Sequence, residues 1–224
     1  MIYSIALDGP GGAGKSTIAK QVAKLKGIVY VDTGAMYRAI ALYMLKNNVD
    51  IHNEELVVSQ LENVDIKLEY RDGAQCVILN GEDVSTAIRT NEVSMAASTT
   101  SAYKQVRAFL MDTQRNVAKT TSVIMDGRDI GTVVLPDAQV KIFLSADSRI
   151  RAQRRHKELL EKGDTVTFEE VLADIEKRDW QDINRKEAPL RQADDAVLLD
   201  TSYLDFEQAV QAVLDIIDKK VKLK

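Results

Sequence analysis

At 224 residues and 24.9 kDa the chain exceeds a usual single domain by about half, which predicts one large domain or one carrying insertions. Its 45% apolar and 29% charged residues are those of a globular protein rather than a disordered one. Thirty Lys and Arg against 34 Asp and Glu give a net charge of −4, and one Trp, seven Tyr and four Phe supply few rings for stacking, so a dedicated binder of nucleic acid or anionic membrane is not expected.

In chain order, Tyr3–Leu7 is a short apolar run that suits a buried strand, and it leads into the glycine-rich segment 9–16. From Thr17 to Leu25 the spacing turns helical, with Ile18, Val22 and Leu25 on one face. Ile28–Val31 is a second strand ending at Asp32, and Ala35–Lys46 reads as a helix with a broad apolar face. Strand, loop, helix, strand is the signature of a parallel α/β sheet.

The period then changes. Val64, Ile66, Leu68 and Tyr70 alternate with polar residues, Arg71-Asp72-Gly73 signals a turn, and Cys76–Leu79 is a further strand closed by the hairpin turn Asn80-Gly81. This antiparallel patch reads as an insertion into the α/β core. A long helical stretch is expected from about Ala87 to Ala118. Parallel-strand signals resume at Ser122–Asp126 and Val140–Leu144. Asp147 or Ser148 then caps a charged helix starting at Arg149. Ala196–Asp200 is a last strand. Phe206, Val210, Val213 and Ile217 mark a closing amphipathic helix, whose Lys219, Lys220, Lys222 and Lys224 suit a helix C-terminus.

The segment Gly9-Pro10-Gly11-Gly12-Ala13-Gly14-Lys15-Ser16 matches the phosphate-binding pattern G-x-x-x-x-G-K-[ST], and it sits between a strand and a helix as that pattern requires. Glycines let the backbone curl with its N–H groups inward, and the helix adds its positive end. Lys15 is expected on the β- and γ-phosphates and the Ser16 hydroxyl on Mg²⁺. A phosphate loop specifies a nucleoside triphosphate, not a reaction. Kinase, GTPase switch and ATPase all remain, but neither N-K-x-D nor L-S-G-G-Q occurs in the chain.

Other chemistries find little support. Cys76 is the only cysteine, so there is no intrachain disulfide, which fits a reducing cytoplasm. His52 and His156 are the only histidines, and neither H-E-x-x-H nor G-x-S-x-G is present. No run approaches the roughly 20 apolar residues of a membrane span, and no Lys or Arg precedes Asp8 to form a secretory n-region. A cytoplasmic protein is expected.

Three segments offer an acceptor site. Asp32-Thr33-Gly34-Ala35-Met36-Tyr37-Arg38 lies where a strand ends and a helix begins, the ligand side of an open α/β sheet. Thr33 and Arg38 either grip an anion there or merely form a capped, solvated helix start. Asp126-Gly127-Arg128-Asp129 follows another strand end, which favours Asp126 near Mg²⁺, held through water, with Arg128 and Asp129 in the cleft, over a surface salt-bridge turn. Arg178, Asp182 and Arg185 share one face of a helix, as site residues or as an exposed ion-pair ladder. The run Arg149, Arg151, Arg154, Arg155 and Lys157 is a solvated helix, a nucleic-acid patch or a lid that brings arginines over ATP phosphates.

Taken together, residues 9–16, 32–38, Ile88-Arg89-Thr90, Asp126-Gly127-Arg128-Asp129-Ile130-Gly131-Thr132-Val133-Val134 and the 178–190 stretch resemble the bacterial cytidylate kinase family in order and spacing. The resemblance implies a P-loop nucleoside-monophosphate kinase fold. That fold is α/β, with a five-stranded parallel sheet flanked by helices, an NMP-binding insertion with a small antiparallel sheet, and a short lid. The single domain would divide into a core of about 1–33, 98–147 and 180–224, the insertion at about 34–97 and the lid at about 148–179. The implied reaction is ATP plus CMP or dCMP to ADP plus CDP or dCDP, with Mg²⁺. A UMP/CMP or other small-acceptor kinase is the near alternative, and a regulatory module without transfer the distant one.

By the same resemblance, residues 9–17 (to Thr17) would bind ATP with Arg151, Arg154 and Arg155 from the lid. Ser98, Arg107 and Asp129 would read cytosine. Thr33, Arg38, Arg128, Arg178, Asp182 and Arg185 would hold ribose and acceptor phosphate, and Lys15, Arg128, Asp129, Arg178 and Arg185 would form the catalytic set. Thr33 stands where many members have Ser, which implies tuning rather than loss. The chain is expected to act as a monomer on these small molecules, without nucleic acid or membrane partners.

Overall fold

The computed structural model describes residues 2–71, 73–161 and 163–222. The turn position Asp72, the Lys222 side chain and Lys224 therefore lie outside the described residues. In chain order come β1 (Ser4–Asp8), α1 (Lys15–Lys26), β2 (Val29–Asp32), α2 (Thr33–Lys46), α3 (Glu54–Ser59), β3 (Ile66–Arg71), β4 (Ala74–Leu79) and β5 (Glu82–Asp83). They are followed by α4 (Asn91–Thr100), α5 (Lys104–Thr120), β6 (Val123–Gly127), β7 (Val140–Ser145), α6 (Ser148–Glu161), α7 (Phe168–Asn184), β8 (Val197–Asp200) and α8 (Phe206–Lys222). No helix among the described residues is long and apolar enough to cross a membrane.

Five strands form a parallel sheet in the order β2-β6-β1-β7-β8. Its central strands are covered on both faces, which is why β1, β6 and β7 are near-continuous apolar runs rather than alternating ones. Ile18, Val22, Val210, Val213 and Ile217 of α1 and α8 cover one face with Ile5, Leu7 and Ile142. On the other side Ala6, Val31, Val123 and Met125 meet Ile130 and Val134, and α2 buries Met36, Ile40 and Met44 in a second cluster with α4 and α5.

The insertion is a three-stranded antiparallel sheet, β3-β4-β5. Asn80 (φ 49°) and Gly81 (φ 86°) join β4 to β5 with both residues in the left-handed region, as the two-residue hairpin turn requires.

The uninterrupted helix expected from Ala87 to Ala118 is instead three pieces: a single turn at Ala87–Arg89, then α4 and α5. Thr90 is extended, and its hydroxyl accepts from the Val93 N–H, so it caps a new helix rather than continuing the turn. A second break falls at Ser101–Tyr103, where Tyr103 is again extended and α5 restarts at Lys104. At the first break a local N-cap prevailed over propensity; at the second, no side chain among the described residues caps α5. Asp147, not Ser148, caps α6 by accepting from the Arg149 and Ile150 N–H groups at 2.8 and 3.4 Å. Helix α7 begins at a capping box in which Thr167 and Glu170 satisfy each other's backbone N–H.

Candidate active site

The phosphate loop joins β1 to α1 at the C-terminal edge of the sheet, where ligands of open α/β sheets bind. Gly9 has φ 149°, and a Cβ there would sit 2.0 Å from the Leu144 carbonyl oxygen, so the loop rests directly on the backbone of β7. Helix α1 starts at Lys15 with no side chain capping it, which leaves its first N–H groups available to an anion. The Lys15 ammonium is buried and donates to the Pro10 carbonyl at 2.7 Å. Burial and the Arg128 guanidinium both push its pKa down.

Ser16 donates its hydroxyl to Asp126 Oδ2 at 2.6 Å, and the Tyr30 hydroxyl donates to Asp126 Oδ1 at 3.1 Å. Asp126 is the penultimate residue of β6, placed beside Asp32 of β2 by the parallel register. Burial, then the Asp32 charge, push its pKa up. A buried carboxylate with raised pKa facing a hydroxyl is a site short of positive charge. The pair offers hard oxygens, which suits Mg²⁺ held partly by water and by substrate phosphates. The residues present therefore fit the ion.

Across the cleft the opposite wall is assembled from four separated segments. At the head of α2, Asp32 Oδ1 accepts from the Ala35 N–H at 2.9 Å, and its Oδ2 pairs with Arg38 at 3.0 Å. The Thr33 hydroxyl donates to the Asp126 carbonyl at 2.8 Å. After β6, Asp129 is nearly buried and paired with Arg107 of α5, with Arg185 Nη2 at 3.4 Å on its other oxygen. The Arg107 guanidinium carbon lies 5.4 Å from the Tyr37 ring centroid. Arg128 Nε is bonded to Asp182 at 2.7 Å. Burial alone would raise the Asp182 carboxyl, but Arg128, Arg185 and Arg178 outweigh it and hold the group below the ordinary range.

Arg178 differs from its neighbours. Its Nε is buried without a hydrogen-bond partner among the described residues. Burial, then the charges of Arg128, Arg38 and Arg155, with Asp182 opposing, push its pKa down. Several cations thus crowd one point with too few carboxylates.

One cleft of about 360 Å³ brings most expected site residues together. Its lining includes Gly11, Gly12, Gly14, Lys15, Ser16, Thr17, Thr33, Arg38, Ser98, Arg107, Asp126, Arg128, Asp129, Arg154, Arg178, Asp182 and Arg185. Gly9, Pro10 and Ala13 lie behind this surface. So does Arg151, which donates to Ala146 O (2.8 Å) and Gly11 O (2.9 Å) and pairs with Asp179 (2.6 Å). Arg154 donates to the Thr201 carbonyl at 2.7 Å. Arg155 pairs with Glu158 at 3.3 Å and is not among the lining residues. Arg185 lies one residue beyond α7, extended at φ −63°, ψ 142°, so it reaches Asp129 and Asp182 (3.7 Å) from the end of the helix rather than from its face.

Sequence reasoning did not single out Asp8, whose two oxygens accept from the Ile130 and Gly131 N–H groups at 2.7 Å each and hold the turn that follows Asp129. It also passed over Gln181, which accepts from the Ser98 hydroxyl at 3.2 Å, and Asp179. Asp8 stands directly before the glycine loop at the end of a strand, and that position was the available signal. Gln181 and Asp179 carried none beyond lying between Arg178 and Asp182.

A five-stranded parallel sheet with a glycine loop at its centre and an arginine-rich cleft opposite defines a P-loop phosphotransferase of the nucleoside-monophosphate kinase fold. The sequence profile of the cytidylate kinase family matches residues 5–219. The cytidylate kinase of Caldanaerobacter subterraneus subsp. tengcongensis is 50% identical over 222 residues, covering 99% of this chain and 97% of its own. That of Caldicellulosiruptor bescii is 49% identical over 219 residues, covering 98% and 97%. This chain belongs to the cytidylate kinase family.

Proposed function

We propose that the enzyme transfers the γ-phosphoryl group of ATP to CMP or dCMP, giving ADP and CDP or dCDP. The observation that carries the reading is the cluster around Arg178: a buried Nε with no hydrogen-bond partner among the described residues, beside Arg38 and Arg128 in the same cleft as the phosphate loop. An acceptor phosphate supplies the missing negative charge.

In the reaction an oxygen of that phosphate attacks the γ-phosphorus, and the bond to the bridging oxygen of ADP breaks. Lys15 and the first N–H groups of α1 stabilise charge on the donor phosphates, while Arg128, Arg178 and Arg185 orient the acceptor. Ser16, with Asp126 through water, would hold Mg²⁺, which when bound neutralises charge on the donor phosphates. No general base is needed for an acceptor already ionised at neutral pH.

Asp129 and Arg107 support a cytosine reader. Cytosine presents an amino donor beside ring acceptors, complementary to a carboxylate and a guanidinium, whereas uracil faces Asp129 with another acceptor. Ser98 completes this edge. Lid residues about 148–179 close over a core of about 1–33, 98–147 and 180–224, with the insertion at 34–97 on the acceptor side. Closure excludes water and suppresses ATP hydrolysis. The enzyme works as a cytoplasmic monomer on these small molecules, in keeping with its charge of −4.

The test is ADP release from ATP and Mg²⁺ with CMP, dCMP, UMP, dTMP, AMP, GMP or no acceptor. Turnover restricted to CMP and dCMP is expected. Equal ADP release with and without acceptor would sink the reading.

A further inference from the structure

The insertion sheet reaches the acceptor site through one side chain. Gln75 lies on β4, opposite Tyr70 of β3. Its Oε1 accepts from the Asp32 N–H at 2.8 Å, and its Nε2 donates to the Asp32 carbonyl at 3.3 Å. A carboxamide has one donor and one acceptor end, so this pairing also fixes which way the amide points.

The contact falls at a chosen place. Strand β2 is an edge strand of the main sheet, paired among the described residues only with β6. Val29 turns its N–H toward β6, donating to the Ser122 carbonyl at 3.0 Å. Alternation along a strand then sends the N–H and C=O of Asp32 to the open side. Gln75 occupies that open edge as a one-residue substitute for a sixth strand. Asp32 is in turn the hub of the acceptor segment, since its carboxylate caps α2 and holds Arg38, and Thr33 follows it directly.

We propose that Gln75 is a positioning residue for the acceptor phosphate: by clasping the backbone of Asp32 it sets the placement of Arg38 and Thr33 from the insertion sheet. This rests on the acceptor reading above. It gives the hairpin insertion a task in substrate binding other than enlarging the domain. Loss of the clasp lets water take the two Asp32 groups at the sheet edge, so global stability changes little. The head of α2 loosens, and with it the grip on the acceptor phosphate. The base is read elsewhere, by residues on α4, α5 and the turn after β6, so discrimination between bases is untouched.

The experiment compares wild type with Gln75→Ala, Gln75→Asn and Gln75→Glu in steady-state kinetics with CMP, UMP and ATP, with melting temperature and the NMR amide exchange of Asp32. For Gln75→Ala the KM for CMP is expected to rise about five- to tenfold, the loss of one to two modest hydrogen bonds. The kcat, the KM for ATP, the CMP:UMP preference and the melting temperature stay near wild type, while Asp32 exchanges faster. Gln75→Asn, one methylene short, matches alanine. Gln75→Glu keeps the bond from the Asp32 N–H and falls between. An unchanged KM for CMP despite faster Asp32 exchange overturns the inference, as does a parallel rise of both KM values with a lower melting temperature. Failure of the wild type to phosphorylate CMP overturns the acceptor reading and this inference together. A loss of kcat confined to the Gln75 variants, with the KM for CMP unchanged, overturns the inference alone.

Discussion

The two sides of the cleft are built by different means. The core of the proposed donor side is one unbroken segment, residues 9–16, which offers backbone N–H groups and a single buried ammonium. On the proposed acceptor side residues come from α2, α5, the turn after β6, and α7, and they offer charged side chains. Backbone groups need only a local conformation to be aimed. Side chains from four segments need partners, and those partners are visible as Asp32–Arg38, Arg107–Asp129–Arg185 and Arg128–Asp182. Each carboxylate holds an arginine in place and dilutes its charge. The exception is Arg178, whose buried Nε has no hydrogen-bond partner among the described residues and whose charge is disfavoured by burial and by neighbouring arginines.

The largest break in this contrast comes from Asp129→Asn. It leaves Arg107 and Arg185 buried without their shared counter-charge, and a destabilisation of about 3 kcal/mol is expected by urea unfolding. The CMP-over-UMP ratio of kcat/KM falls with it, since an amide donates to uracil as readily as it accepts from cytosine. On the donor side Lys15→Met should act oppositely. A drop in kcat of about 10²–10³ is expected, with a melting temperature at or above wild type, because Lys15 is a buried cation whose protonated form is already disfavoured.

Asp8 sharpens the contrast through pH. Burial raises its carboxyl from 3.8 to about 6 in spite of the two backbone bonds it accepts. The folded state binds this proton more tightly than the unfolded chain, so the contribution is full below pH 3.8 and lost as pH rises through 6. The stability of wild type minus that of Asp8→Asn should therefore fall by up to about 3 kcal/mol between pH 4 and 7 in denaturant titrations. A difference that is flat across that range would contradict the buried-carboxyl account. The smallest effect belongs to Thr33→Ser. Serine keeps the hydroxyl that donates to the Asp126 carbonyl and loses only a methyl, so the KM for CMP should move by less than about threefold.

The same contrast decides how much could be read from the sequence. The placement of the glycine loop between β1 and α1 was legible, because it depends on neighbours in the chain. The five parallel strands and the Asn80-Gly81 hairpin were legible too, from apolar runs and turn chemistry. On the acceptor side the arginines and aspartates could be named from the resemblance, but not their pairing, which depends on folding. Arg185 was expected on the face of a helix and instead follows the end of α7. The helix expected from Ala87 to Ala118 breaks first where the Thr90 hydroxyl caps α4, and again at Ser101–Tyr103, where no side chain among the described residues marks the restart. Gln75 and Asp8 left almost no trace, since a glutamine in a strand or an aspartate at a strand end is ordinary until its partners are known.

The sheet order has a consequence for how the chain is made. Central strand β1 pairs with β6 and β7, so Ser4 waits for Val123, and Ile5 for Val140. At a synthesis rate of roughly 5–20 residues per second, β1 and the phosphate loop emerge about 6–24 s before a neighbouring strand exists to receive them. The insertion sheet, with partners close by in sequence, can form during that interval. The nucleotide loop is thus made well before β7, the strand it rests on, and over that interval the nascent chain carries an unpaired apolar strand.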